Sequence, residues 1–599
     1  MVLSPQKLAF LAYPGHALAL AGPGAGKTHV SLIKAQHQVA SGTLKPGQKV
    51  LFLSFARPTV ARILEKAAEL ISPEELKHLE INTYHGFAWG ILRSHGYLLN
   101  TARAIILLPP PEAAAHFADV DVSAREQEML RLFEEEGRLH FDLFARLVAQ
   151  IFQRSDRLAN IYCGAYPTVI LDEFQDTNAD EWALIRQLGR HSRLIALGDP
   201  DQRIYEFRGA DPRRLGEFVE VFQPASFDFS GENHRSSGTD ITVFGNDLLT
   251  GQNRGKEYTH VKIVRYGFRR NQSPHFRAKA EVLAALRRLR DQPNTSVSVL
   301  VPSKAFMLQF SQYLSSDLDG LPALRHDVAM DAESPSLAAN VIAVLLGGGS
   351  TAALASRLIA TLHTHIRGRG GNKAPAQAEM DLAGAIGTYM STGKIRGKNR
   401  ELIVKECQRI AAERVDLRLS GSPEEDWAAM RDLIATSTAP QVARVAEDAR
   451  FLRLLHRGSA LRTALSEMWR TRGDYVGAEA ALREALLQEH FVAAQKEWRG
   501  LHVMTIHKAK GKEFDEVVIY EGSFSGRIVS ANADARRIAQ SQLALRVAVT
   551  RAIRRTTIVT PSAMAAYFSS RRVASPIPLP GIDQSSRRRA AGFADAPPV

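Results

Sequence analysis

Cysteine is nearly absent from this chain of 599 residues: Cys163 and Cys407 are its two thiols, far apart in sequence. Two sulfurs cannot hold an iron–sulfur cluster and do not make a disulfide framework, so the chain reads as intracellular, with a cytoplasmic location expected. Long apolar runs are missing too. No stretch reaches the roughly 18 apolar residues of a membrane span, and the opening Met-Val-Leu-Ser-Pro-Gln lacks a basic segment followed by an apolar one. These absences speak against a membrane partner and against export. Acidic residues are outnumbered, 63 against 76 basic, for a net charge of +13. The excess is spread along the chain, with a short cluster at Arg587, Arg588 and Arg589, and favours a polyanionic partner. Length, by contrast, is plentiful. At roughly 150 residues per domain it implies about four structural units.

What is present begins at residues 18 to 28, an apolar run that turns through three glycines into Lys27 and Thr28. Gly22, Gly24 and Gly26 let backbone N–H groups approach a polyphosphate without Cβ clashes. Lys27 can then reach the β- and γ-oxygens, and the Thr28 hydroxyl can ligate Mg²⁺. Ala21 stands at the first position of the G-x-x-x-x-G-K-[ST] pattern, which costs little because the remaining glycines make the close approach. Upstream, Ser4-Pro5-Gln6 opens a short helix, with Gln6 a candidate reader of the adenine edge.

Farther on, the apolar stretch from Thr168 to Leu171 runs into Asp172 and Glu173. Carboxylates at the end of a parallel strand sit where ligands bind; Asp172 is placed to hold Mg²⁺, and Glu173 to orient or deprotonate an attacking water. The strand Leu194–Leu197 leads to Gln202, a candidate γ-phosphate sensor, and to Tyr205, Phe207 and Arg208, which interleave aromatic faces with a cation as unpaired bases require. Another strand covers 297–301, followed by a long helical interval. Inside it, residues 363–371 carry His363 and His365 in what reads as an exposed basic loop rather than a metal site. Strands return at 501–506, 516–520 and 556–560, and the Ser-, Pro- and Arg-rich sequence from 569 reads as a disordered tail.

Collected in order, Gln6, Ala21 to Thr28, Ser54-Phe55, Thr83-Tyr84-His85, Asp172 to Asp176, Gly198 to Ala210, Asn233 to Ser236, Thr505 to Phe514 and Val547 to Ala552 resemble the motif set of superfamily 1A helicases of the UvrD/Rep type. The resemblance covers both halves of the motor. It implies an α/β fold of two RecA-like P-loop domains with parallel sheets, each carrying a mostly helical accessory insertion. The expected boundaries are 1–96 with 166–268 for the first domain and 97–165 for its insertion. For the second they are 269–335 with 498–568, and 336–497 for its insertion, leaving 569–599 as the tail. It further implies ATP and Mg²⁺ in the cleft and ATP-driven 3′ to 5′ movement on single-stranded DNA or 3′-tailed duplex. Arg235 and Arg551 would act on the γ-phosphate, Arg551 as a finger from the second domain. Glu513 would lie toward the nucleotide, and Phe55, His85, Tyr205, Phe207, Arg208 and His507 would contact DNA.

The chain also departs from that pattern. His29 replaces the Arg that usually follows the loop Thr, His234 replaces an adenine-stacking Tyr, and Arg546 replaces an aromatic. A strand-separating hairpin is expected after the last motif, yet Thr560-Pro561 soon gives way to Ala-rich sequence, so weak unwinding by the isolated chain is expected. The alternative is a motor or sensing subunit of a helicase–nuclease complex, in repair or in antiviral defence. The helicase half of Gabija systems resembles such short UvrD-like chains, and no Asp/Glu/Lys nuclease cluster follows residue 570, so a separate nuclease partner would do the cutting.

Overall fold

The apolar run Ala17–Leu20 forms strand β1, whose first three side chains are buried, and five further parallel strands assemble around it. The computed structural model describes residues 3–55, 57–99, 104–199, 211, 213–229, 231–253, 255–267, 273–329, 333–371, 375–450, 459–491, 498–523, 526–528 and 535–562. Among them, β2 (Val50–Ser54), β3 (Leu79–Thr83), β4 (Thr168–Leu171), β5 (Arg193–Gly198) and β6 (Ala225–Asp228) complete a first sheet in the order β3-β2-β4-β5-β1-β6. All pairs are parallel, and Leu53 pairs with Leu171, Leu171 with Ala196, and Leu20 with Gly198. The register therefore brings the carboxyl ends of four strands to one edge, where loops from distant parts of the sequence meet. Phe10, Ala19, Val30, Phe52, Ile170, Ile195 and Leu197 form the core beneath that edge. The central strands β1, β4 and β5, buried on both faces, read as continuous apolar runs and were visible in sequence, whereas the outer β3 and β6 are only partly buried and carried no such signal.

A second all-parallel sheet contains β7 (Val261–Tyr266), β8 (Ser296–Val301), β9 (Asp327–Ala329), β10 (Gly500–Thr505), β11 (Phe514–Tyr520) and β12 (Ala552–Pro561), in the order β9-β10-β8-β11-β12-β7. Its core takes Leu300, Met504, Phe514, Ile519 and Ile558 together with Ile241, Phe244 and Leu248 of helix Ile241–Thr250. This corrects the expected boundary at 268. The chain has already joined the second sheet by residue 241, because that helix turns its apolar face there and β7 pairs with β12. Both sheets lie in one compact unit, residues 1–87, 152–329 and 494–599.

The other unit, residues 88–151 and 330–493, is mostly helical. Helix Glu333–Gly347 runs through its core, with Leu337, Val341, Ile342 and Leu345 buried. The expected loop at 363–371 is for the most part helix: Thr351–Gly368 is continuous, and Leu354, Leu358, Ile359, Leu362 and Ile366 form its buried stripe. His365 lies on that stripe, 1% exposed, with Nε2 3.0 Å from Asp448 Oδ2. The spacing of apolar residues at three and four outweighed the Gly-rich end, which only terminates the helix. Among the described residues no helix is long and apolar enough to cross a membrane.

Candidate nucleotide site

β1 stops at Leu20, and the loop that follows bends through Gly24 and Gly26, both in the left-handed region with φ of 78° and 85°. A Cβ on Gly24 would stand 2.5 Å from Asn233 Oδ1, so glycine is required there by backbone angle and by space. Helix Lys27–Ala40 starts directly after it with no side-chain cap, which leaves its first N–H groups for an anion. Lys27, Thr28 and His29 are half-buried at that start, and Lys27 Nζ donates to the carbonyls of Ala21, at 2.6 Å, and Gly22, at 3.3 Å.

Asp172 and Glu173 follow β4 at the same edge. Asp172 is 3% exposed, and the Ser54 hydroxyl lies 3.4 Å from its Oδ2. Burial, reinforced by the neighbouring Glu173, pushes its carboxyl up to about 7. Such a carboxylate calls for a cation, and the Thr28 hydroxyl is the second hard oxygen donor at this end of the sheet. The donor set suits Mg²⁺, which is commonly held by one or two carboxylates plus substrate phosphates. Glu173 adopts φ of 51°, unusual for a residue with a Cβ. Burial works against its charge, but Lys510 and Lys27 outweigh it and hold its carboxyl below the usual range. Gln175 Nε2 donates to Glu173 Oε2 at 2.6 Å; Lys510 Nζ lies 3.7 Å from the same oxygen and also pairs with Asp176.

The opposite wall comes from the second sheet. Glu513, just before β11, accepts from Arg235 Nε and lies 2.6 Å from Arg62 Nη2. Burial resists its ionisation, yet Arg235 and Arg62 bring it down to about 2. Arg551 precedes β12 and is 2% exposed; its Nε donates to Val547 O at 3.0 Å. Burial, then the nearby Arg235, lowers its guanidinium to about 9. Burial also lowers Arg235 and Lys66, and the charge of a neighbouring arginine adds to both effects. Cations that depress one another, with Glu513 and Glu173 as the carboxylates among them, form a site electrostatically suited to a polyanion.

Of the residues singled out in sequence, Lys27, Thr28, Asp172, Glu173, Arg235, Glu513 and Arg551 come to this edge. Gln6 does not turn inward. It is exposed on helix Pro5–Ala12, while the adjacent Lys7 is 2% exposed and donates to Ala25 O at 2.8 Å and to Glu232 Oε2 at 2.5 Å. His234 sits beside them, its Nε2 3.0 Å from Glu232 and 3.1 Å from Lys7 Nζ, and its backbone N–H donates to Gly24 O. Phe55 packs on the buried Tyr84 with ring centroids 5.0 Å apart; His85 is half-buried and His507 exposed. Gln202, Tyr205, Phe207, Arg208 and the tail from 569 lie outside the described residues. Sequence reading missed Lys7, Arg62, Lys66, Glu232 and the part played by Lys510. Lys510 alone carried a signal, since it lies within the Thr505 to Phe514 motif.

Two parallel sheets of this kind, with a glycine-cradled Lys-Thr on the first and an arginine delivered from the second, define a protein of RecA-like P-loop domains. A family described as the UvrD/REP helicase N-terminal domain matches residues 4–122 and 112–223, so the part of the chain that builds most of the first sheet is similar to that family. The chain is 22% identical over 334 residues to the ATP-dependent DNA helicase PcrA of Leuconostoc citreum, covering 47% of this chain and 44% of that protein. Identity is 26% over 291 residues to UvrD1 of Mycobacterium tuberculosis (39% and 38% covered) and 24% over 267 residues to Rep of Salmonella typhimurium (37% and 40%). The chain thus spans less than half the length of these relatives.

Proposed function

We propose that the chain is an ATP-dependent motor that moves 3′ to 5′ on single-stranded DNA and hydrolyses ATP between its two sheets. The observation that carries this reading is the convergence of Lys27, Asp172–Glu173, Arg235 and Arg551, from four separated segments, around one cation-rich edge. The relatives' names as ATP-dependent DNA helicases and the net charge of +13 support DNA as the polyanion it tracks.

In this reading the loop amides and Lys27 bind the β- and γ-phosphates. Thr28 and Asp172 would hold Mg²⁺, which when bound neutralises phosphate charge. Glu173 accepts a proton from the water that attacks the γ-phosphorus. Arg235 and Arg551 face the charge spread over the equatorial oxygens, a contribution worth roughly 10³ to 10⁵ in rate in related phosphoryl transfer. Arg551 belongs to the second sheet, so hydrolysis is tied to the approach of one sheet to the other. Lys510 belongs there too, three residues after His507, and a strand bound near His507 can draw Lys510 away from Glu173. This gives DNA a route to stimulate turnover. Phe55, His85 and His507 are the described DNA-contact candidates, with Tyr205, Phe207 and Arg208 alongside them in sequence.

The test is ATP turnover by the purified chain with and without single-stranded DNA, followed by strand displacement on 3′-tailed, 5′-tailed and blunt duplexes. Stimulation by DNA and a preference for 3′ tails are expected. Turnover indifferent to DNA would overturn the motor reading, and a preference for 5′ tails would overturn the polarity.

A further inference from the structure

We propose that Arg546 is a positioning residue that fixes the orientation of Glu173 through Asp199 and Gln175. Arg546 and both intermediates are buried: Gln175 is 1% exposed, Asp199 2% and Arg546 2%. Arg546 Nη1 lies 3.6 Å from Asp199 Oδ2, while Nε and Nη2 donate to Asn246 Oδ1 at 3.2 and 3.1 Å. The backbone N–H of Asp199 donates to Gln175 Oε1 at 3.0 Å, and Gln175 Nε2 donates to Glu173 Oε2 at 2.6 Å. The Gln175 amide is thereby used at both ends. Turning it over would set its NH₂ against the Asp199 N–H and its oxygen against a carboxylate, so the position of Asp199 dictates which donor Glu173 receives.

The far end of this chain of contacts is the turn that bears Arg551. The carbonyl of Arg546 accepts from the Thr550 N–H at 3.0 Å and from its hydroxyl at 2.9 Å, and Thr550 O accepts from Arg235 Nη1 at 3.0 Å. Arg551 Nε is bonded to Val547 O within the same turn. A displacement of that turn shifts Arg546 along with Arg551 and Thr550. Arg546 therefore links the turn that bears the finger to the carboxylate that acts as base, a connection an aromatic side chain at 546 could not make through charge. A purely structural buried ion pair is the rival account.

The inference rests on the ATPase reading above, and two measurements separate the two. In the 599-residue chain carrying Arg546→Met, Arg546→Lys, Asp199→Asn or both Arg546→Met and Asp199→Asn, kcat for ATP with saturating single-stranded DNA is compared with KM. Residues in one network couple strongly, so Arg546→Met should lower kcat by roughly tenfold with KM for ATP within about twofold. Lys should restore part of the loss, and the double variant should be no slower than the slower single. Hydrogen–deuterium exchange of the 172–177 segment, read without nucleotide, should quicken in Arg546→Met and Asp199→Asn. Unchanged kcat in a destabilised Arg546→Met, or losses that multiply in the double variant, would overturn the proposal. If the parental chain hydrolyses no ATP, the ATPase reading fails and exchange alone decides the link; unaltered exchange at 172–177 would overturn it.

Discussion

Replacing Glu173 by Gln isolates the chemistry of one carboxylate with little change in shape. The Gln side chain can keep its oxygen where Glu173 Oε2 accepts from Gln175 Nε2 at 2.6 Å, and the positive φ of 51° is equally awkward for both residues. Lys510 keeps Asp176 as a partner, so the cost to stability is about 1 kcal/mol, the net worth of a typical hydrogen bond. Nucleotide affinity should be retained, because removing a negative charge beside the phosphates reduces repulsion. Hydrolysis is another matter. General bases contribute roughly 10²- to 10⁴-fold, so single-turnover hydrolysis by Glu173→Gln should fall by that factor, equivalent to about 3 to 5 kcal/mol of barrier. Rapid-quench measurement of ADP formation, paired with binding of a fluorescent ATP analogue, reads the two effects separately. Turnover at the parental rate would refute the assignment of Glu173. Loss of binding along with turnover would place it in the structural support of the loop.

Arg551→Ala should lower DNA-stimulated kcat by roughly 10³ or more with a small change in nucleotide affinity, since a finger acts on charge that develops in the transition state; a change in affinity alone in the same two assays would contradict this. Lys510→Met removes the leading cation that holds the Glu173 carboxyl low, so the acid limb of the kcat/KM profile should move to higher pH, and an unmoved limb would dissociate Lys510 from Glu173. Stability should also depend on Glu232 and Glu513. Burial opposes their charge, but Lys7, Ser4 and His234 hydrogen-bonded to the first, and Arg235 and Arg62 beside the second, bring both carboxyls from 4.5 to about 2. A depressed carboxyl stabilises the folded state above its unfolded value, so this contribution is complete above pH 4.5 and is lost as pH falls toward 2. Urea midpoints across that range should show a weaker acid dependence in Glu513→Gln, and an identical slope would exclude the pair with Arg235 and Arg62 as its source.

The central parallel strands and the phosphate loop were legible because their causes are local, while Leu79–Thr83, Ala225–Asp228, Val261–Tyr266 and Asp327–Ala329 went unread. Leu18 to Thr28 contains the buried run, the glycines and the two functional side chains in one uninterrupted stretch, and Asp172 with Glu173 ends a second such run. The long interval from 302 to 498 misled at residues 363–371, where the glycines at 368, 370 and 371 attracted more weight than the apolar spacing before them. Partners supplied from a distance and outside any motif had no local signature. Arg62 looks like any solvated helix cation until Glu513, more than four hundred residues away, is brought to 2.6 Å from it. The N-terminal helix shows how small the margin can be. One residue along a helix is a turn of about 100°, enough to send Gln6 to solvent and Lys7 into the loop against Ala25 O, Glu232 and His234. Composition and motif order cannot fix that phase, but packing does: Phe10, three residues beyond Lys7 on the same face, is 0% exposed among Phe227 and Phe229, and its anchoring sets which of the two neighbours meets the nucleotide loop.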